Sequence, residues 1–416
     1  MIRFAVFTTL LVTALAAPAA GAEALLDRDF DAEFRLTLEE AGIPGGAYAI
    51  VRDGHIVHAG GYGVRLSGSD DPVTADTVFR VASVSKTFAA QLTGMLVGED
   101  KLHWDDSLNL FLPDFRFKPG DHATALQIRH LLGQSSGIVP NAYDNLLDAD
   151  IPLDNILPRF SKLEPVCAPG LCYTYQNILF SLIDPVIEKA TDLSYSALVQ
   201  QRIFQPLHMQ HASLGLEAFL ATDDRALPHV KRNGAWIPTE VKKGYYQVAP
   251  AAGINASAND LGLWLLAQMG NRPDVVSPEV VAKLTEKHIR TPRDLRRRHW
   301  RDMGLTDAHY GMGWRIYQVG GEEIYLHSGW VNGYVADVAY SRTRRTGLVV
   351  LLNAESGVIS EITTRFWKDV LDEPLEILHA ESATGDDHDT APINPSAPQP
   401  EREGTVKTMI EMGVAK

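Results

Sequence analysis

Cysteine is nearly absent from this chain: 416 residues include two, Cys167 and Cys172. That excludes a fold held by a disulfide framework, and it leaves too few thiolates for a cysteine-based zinc site. With Ala168-Pro169-Gly170-Leu171 between them, the pair fits either a short-loop disulfide or two reduced, packed thiols. Cations are scarce relative to anions, with 38 Lys and Arg against 52 Asp and Glu, a net charge of −14. Nucleic-acid binding is therefore not expected, because phosphate contacts need clustered positive charge. Long apolar runs are missing beyond the N-terminus, so no membrane span is expected in the body of the protein.

The first residues read as a processing signal. Arg3 supplies a positive start, an apolar stretch follows from Phe4 to Ala17, and Ala20-Gly21-Ala22 offers small residues at a cleavage position. This is the pattern of a secretory signal peptide over residues 1–22, cut near Ala22; an uncleaved anchor is the alternative reading. The expected location of the mature protein is periplasmic or secreted, where disulfides persist.

What is present is ordinary globular composition, about 45% hydrophobic and 22% charged. Phe30, Phe34, Leu38 and Ala41 recur at helical spacing, and Gly42 and Pro44 end the pattern. Two β-type runs, 46–51 and 55–59, surround Asp53-Gly54, which predicts a hairpin. A short run, 78–81, leads into a helical pattern carrying Phe88, Leu92, Met95 and Leu96. Residues from about 102 to 284 are mostly helical in pattern. β character returns in the runs 313–317, 323–327, 334–340 and 347–352. A last amphipathic helix carries Ile359, Ile362, Phe366 and Val370. No internal repeat is visible.

Strands at both ends around a helical middle predict an α/β (α+β) protein: an antiparallel sheet flanked by N- and C-terminal helices, with an inserted, mostly helical lobe. The expected division is a signal peptide (1–22), a hydrolase domain (23–380) and a disordered polar, Pro-rich tail (381–416). Within the domain, a sheet lobe would span about 23–100 and 305–380, and a helical lobe about 101–304. A cleft between two lobes is a usual place for a small-molecule site.

Three short motifs carry chemistry. Ser83-Val84-Ser85-Lys86 stands where a strand meets a helix, which would set the lysine ammonium beside the serine hydroxyl one turn away. A serine is a weak nucleophile until a neighbour takes its proton. Tyr175-Gln176-Asn177 offers a phenol able to act as base if cations lower its pKa. It also offers an amide able to bond both a substrate and the lysine. His327-Ser328-Gly329, followed by Trp330, ends a strand; a glycine there lets substrate approach the strand edge.

In this order the three motifs resemble those of the serine β-lactamase and penicillin-binding protein superfamily, in particular its class C β-lactamase-like branch with D-amino-acid peptidase and esterase relatives. The segments 128–138, 252–261 and 310–314 add to the likeness, which runs from about Ala24 to Leu378. The resemblance implies a β-lactamase/transpeptidase-like fold and an acyl-serine hydrolase without cofactor or metal. It implies Ser83 as nucleophile, Lys86 as its proton relay and Tyr175 as general base. Asn177, His327, Gly329 and Trp330 become substrate-binding residues, with the Ser83 and Trp330 N–H groups as oxyanion hole. Expected substrates are β-lactams, D-amino-acid peptides or small carboxylic esters, including peptidoglycan-derived ones. His327 stands where class C β-lactamases have lysine, which implies weaker attraction for a substrate carboxylate.

Two other functional readings compete with this one. A penicillin-binding sensor would acylate without turnover. An α/β-hydrolase esterase would use Ser135, since Gly133-Gln134-Ser135-Ser136-Gly137 fits G-x-S-x-G, but that motif needs a preceding strand and residues 128–132 look helical. Arg290, Arg293, Arg296, Arg297, Arg298 and Arg301 form a basic run, expected to be a solvated loop paired with local Asp residues. His55 and His58 are expected on a surface strand without an acidic partner. His379 and His388 show no ligand spacing.

Overall fold

The computed structural model describes residues 20–118 and 120–375. Residues 1–19 of the expected signal peptide (1–22), the tail from 381 onward, and both His379 and His388 lie outside the described residues. Helix α1 (Ala20–Glu40) presents Phe30, Phe34 and Leu38 to the interior. Gly42, at φ +61°, ends the turn that follows it. Strands β1 (Gly45–Arg52) and β2 (His55–Gly63) form the expected hairpin. Asp53 and Gly54 both have positive φ, 46° and 89°, as a two-residue hairpin turn requires.

The short strand β3 (Phe79–Arg80) does not join this hairpin. In the middle of the chain, β4 (Ser213–Leu214), β5 (His229–Arg232), β6 (Ala235–Pro238) and β7 (Ile254–Ala256) are small pieces among helices. β3, β7 and β4 make a three-stranded sheet, and β5 and β6 a hairpin. The mostly helical reading of this region passed over them, because two- to four-residue strands leave no period-2 signal.

The C-terminal part supplies β8 (Ile289–Arg290), β9 (Leu305–Tyr310), β10 (Arg315–Val319), β11 (Glu322–Val331), β12 (Tyr334–Ser341) and β13 (Thr346–Leu352). The main sheet has eight antiparallel strands in the order β2-β1-β13-β12-β11-β10-β9-β8. The first and last parts of the chain therefore meet at the β1–β13 seam. There Ala47, Ala49, Val349 and Leu351 face one core, while Tyr48, Ile50, Leu348, Val350 and Leu352 face another. Burial on both faces explains why these antiparallel strands read as continuous apolar runs. One face is covered by α1 and the helix Val358–Asp372, which buries Ile359, Ile362, Phe366 and Val370. The other face packs against the helical body.

At the centre of that body lies helix α2 (Ser85–Gly98). The sequence suggested one apolar face, yet α2 is buried nearly all round, with Lys86, Thr87, Gln91 and Thr93 inside. Two of these are met internally: Trp264 Nε1 donates to Thr87 Oγ1 at 3.0 Å, and Thr93 Oγ1 to the Ala89 carbonyl at 2.8 Å. Cys167 and Cys172 form a disulfide, which settles the thiol alternative. No described helix is long and apolar enough to cross a membrane.

Candidate active site

Ser83 sits in a single 3₁₀ turn, Ala82–Val84, between β3 and α2. Val81 N–H bonds the Ile254 carbonyl at 3.2 Å, and Ile254 N–H bonds Ser85 Oγ at 3.0 Å, so β7 clamps the turn from both sides. Ala82 is held at φ +48°, a left-handed conformation that costs an L-residue about 1–2 kcal/mol. Strand β11 presses on the same turn. A Cβ added at Gly329 would lie 2.1 Å from the Val81 carbonyl oxygen and 3.1 Å from Ala82 Cβ. Only glycine lets the strand pass this closely.

Lys86 lies one turn after Ser83, and its ammonium is wholly buried. Lys86 Nζ has three partners: Ser83 Oγ at 3.1 Å, Asn177 Oδ1 at 2.7 Å and the Ala251 carbonyl at 3.0 Å. Two of these can only accept. A neutral amine would donate to both and keep its lone pair for the serine proton. Burial pushes the Lys86 ammonium well below its ordinary pKa; the buried Asp144 opposes this and Arg315 adds to it.

Tyr175 Oη lies 2.9 Å from Ser83 Oγ. The loop that carries it is fixed by Gln134, whose side chain accepts from Gln176 N–H at 2.6 Å and donates to the Gln176 carbonyl at 3.1 Å. Asn177 Nδ2 donates to Asp144 Oδ2 at 2.7 Å, so one amide spans Lys86 and a buried carboxylate. Burial pushes the Tyr175 phenol far up, against the pull of its Ser83 hydrogen bond and of Arg315. This runs opposite to the lowering that a phenolate base requires. Burial favours the protonated form of Tyr175 and the neutral form of Lys86.

Ser83, Tyr175, Asn177, Gly329 and Trp330 line one cavity of about 520 Å³, together with Asp144, Arg297, Arg315 and Ser328. Lys86 lies beneath two of these lining residues, bonded to Ser83 and Asn177. Trp330 is half exposed at the rim. His327 is not among the lining residues. It is 1% exposed, on β11 behind Tyr175 and Tyr310. Its Nδ1 donates to the Ser328 carbonyl at 3.0 Å, which makes Nε2 the acceptor for the Tyr310 hydroxyl, also at 3.0 Å. Burial, Arg315 and Lys86 all push its pKa well below the ordinary value. His327 thus lies under the cavity wall rather than facing the cavity.

The sequence reading missed Arg315, Asp294 and Asp144. The Arg315 guanidinium lies between 5.6 and 5.9 Å from the ring centres of Tyr173, Tyr175 and Tyr310, and its Nη1 donates to Asp294 Oδ2 at 2.6 Å. The basic run divides: Arg290 pairs with Asp307, and Arg298 and Arg301 with Asp302, as a solvated loop would, whereas Arg297 turns into the cavity. His58 does reach a carboxylate indirectly, since its Nδ1 is 2.7 Å from Tyr48 Oη, which donates to Asp31 at 2.8 Å. Ser135 follows the helix Ile128–Leu132, is 6% exposed, and forms a bridge with Thr174. It therefore lacks the strand-to-helix elbow that its motif requires. Among the described residues no cluster of His, Cys, Asp or Glu could hold a metal ion.

A family model described as "Beta-lactamase" matches residues 30–371. The chain is 25% identical over 325 residues to an unguisins hydrolase of Aspergillus campestris, covering 76% of this chain and 59% of that relative. It thus spans about six-tenths of the curated relatives it matches. The fold is similar to the octameric penicillin-binding protein homologue of Pyrococcus abyssi, with a TM-score of 0.73, 25% identity, and 84% of this chain and 78% of that chain covered. It is also similar to a D-stereospecific amidohydrolase from Streptomyces sp., with a TM-score of 0.64, 22% identity, and 80% and 97% covered.

Proposed function

The chain belongs to the Beta-lactamase family, and we propose that it is an exported serine hydrolase that cleaves ester or amide bonds through an acyl-enzyme on Ser83. The observation that carries this is the placement of Ser83 Oγ within hydrogen-bond reach of both Lys86 Nζ, at 3.1 Å, and Tyr175 Oη, at 2.9 Å. The serine hydroxyl and the phenol line one cavity, with the buried amine bonded behind the serine.

In this reading the neutral Lys86 takes the Ser83 proton as Oγ attacks the substrate carbonyl. The N–H groups of Ser83 and Trp330 receive the developing oxyanion. Tyr175 hands its proton to the leaving oxygen or nitrogen and is reprotonated from the Lys86 ammonium. Water then enters and the same groups act in reverse to free the serine. Asn177 holds the amine in place and bonds the substrate, and Asp144 anchors Asn177. No step calls for a metal or cofactor.

The substrate classes proposed are β-lactams, D-amino-acid peptides and small carboxylic esters. The name of the Aspergillus relative supports hydrolysis as the reaction. The disulfide supports an oxidising location, in line with removal of residues 1–22. The test is turnover of a short-chain aryl ester and of a cephalosporin by wild type, Ser83→Ala and Ser135→Ala protein. Ser83→Ala is expected to abolish turnover and Ser135→Ala to keep most of it. Full activity in Ser83→Ala protein would end this reading.

A further inference from the structure

We propose that the loop tied by Cys167 and Cys172 walls a subsite for the leaving part of the substrate, and that this subsite selects esters or amides whose departing alcohol or amine is large and apolar. This rests on Ser83 being the acylated residue and on Tyr175 handing its proton to the leaving atom. A second cavity, of about 900 Å³, lies beside the one that holds Ser83. The two share Asn141, Tyr175 and Arg315, so they adjoin at the Tyr175 ring. A leaving atom within reach of Tyr175 Oη therefore sets its substituent at the mouth of the second cavity.

Pro140, Val166, Leu171, Tyr173, Ile289 and Pro292 give this cavity an apolar lining. Its charged lining residues are largely spent on acid–base pairs: Arg315 Nη1 donates to Asp294 at 2.6 Å, and Arg290 Nε to Asp307 at 2.8 Å. Val166 is 61% exposed and Leu171 74%, so neither fills a core. Apolar side chains gathered at a cavity and left to water mark a binding surface. The loop that carries them is held in place. Val166 N–H bonds the Gly137 carbonyl, Gly170 N–H the Ser135 carbonyl and Thr174 N–H the Gln134 carbonyl, each at 2.8 Å, and the disulfide closes the loop between them. Gly137, at φ +79°, passes so near that a Cβ there would lie 2.2 Å from the Cys167 carbonyl oxygen. A wall already ordered costs little to bind against. The group that fits is an aryl or branched alkyl alcohol, or an apolar residue following the scissile amide.

The experiment compares kcat/KM for phenyl acetate and 2-naphthyl acetate, which share an acyl group and differ by one apolar ring in the leaving alcohol. Phenyl hexanoate is the acyl-side control. Wild type is expected to favour 2-naphthyl acetate over phenyl acetate. Leu171→Asp and Leu171→Ser should lower the naphthyl-to-phenyl ratio about tenfold, the scale of a lost apolar contact in a pocket. Both should leave the hexanoate-to-acetate ratio unchanged, and Leu171→Met should keep the naphthyl preference. Leu110→Ser, at an exposed leucine outside both cavities, should move neither ratio. A naphthyl-to-phenyl ratio indifferent to both polar Leu171 variants, shown folded by urea unfolding, overturns the subsite while leaving the acyl-serine reading intact. A change confined to the hexanoate ratio overturns it as well, by putting the acyl part there. A wild-type dimer that Leu171→Asp turns into a monomer, with both ratios unchanged, would give the loop to a second copy of the chain instead. Turnover that survives Ser83→Ala overturns the acyl-serine reading and the subsite with it.

Discussion

Replacing Gly329 by alanine tests whether the close pass of β11 over the Ser83 turn builds the site. The added Cβ would sit 2.1 Å from the Val81 carbonyl oxygen, where ordinary contact begins near 3.4 Å, so the two backbones must part by 3.4 − 2.1 = 1.3 Å. Neither side can yield freely. β11 is paired to β12 along Tyr325–Val331, and the turn is clamped by β7. A backbone shift of this kind costs about 1–3 kcal/mol in stability. The greater effect is expected on rate, since a 1 Å misplacement of reacting groups can cost about 10²-fold. Steady-state kinetics on an aryl ester would read the loss, and urea unfolding would show that the protein is folded. We expect kcat/KM to fall by about two orders of magnitude with a cooperative transition retained. A folded Gly329→Ala protein with wild-type kcat/KM would refute the argument.

Three further outcomes are expected. Tyr175→Phe keeps the ring and removes the proton, so kcat should fall by about 10²–10⁴-fold; a loss of less than severalfold would make Tyr175 structural. Lys86 must be neutral to take the Ser83 proton, and burial lowers its pKa. The active form therefore prevails above that value, and a pH profile of kcat/KM should fall on the acid side; a rate that rises as pH falls contradicts the assignment. Replacing Cys167 and Cys172 together by serine opens a short loop and should reduce stability by about 2 kcal/mol on chain-entropy grounds; an unchanged denaturant midpoint would contradict that estimate.

Much of the fold was legible because burial on both faces leaves β1, β12 and β13 as unbroken apolar runs, and because α1 and the helix Val358–Asp372 keep clear helical spacing. β9 was not, since Leu305–Tyr310 mixes Thr306, Asp307 and His309 with buried Leu305, Ala308 and Tyr310 and follows a basic loop. The site was legible where its residues fall in short motifs: Ser83 with Lys86, and Tyr175 with Asn177. Local spacing could not reveal that the helix after Ser83 is central and buried, and burial is what pushes the Lys86 pKa down and the Tyr175 pKa up. Arg315 and Asp294 stand 21 residues apart and meet only through the sheet, so no motif announces them. His327 looked like a ligand-facing residue because strand position alone does not say which face is already filled by Tyr310.

The central claim is that Ser83 becomes acylated and is then released. Intact-protein mass spectrometry during exposure to a slowly released aryl ester or β-lactam measures this directly. We predict a transient mass increase equal to one acyl group, mapped by digestion to the peptide containing Ser83, lost with time in wild type and absent from Ser83→Ala protein. Turnover without any adduct, or an adduct on Ser135, would contradict the account; an adduct on Ser83 that is never released would make the protein a sensor instead of a hydrolase.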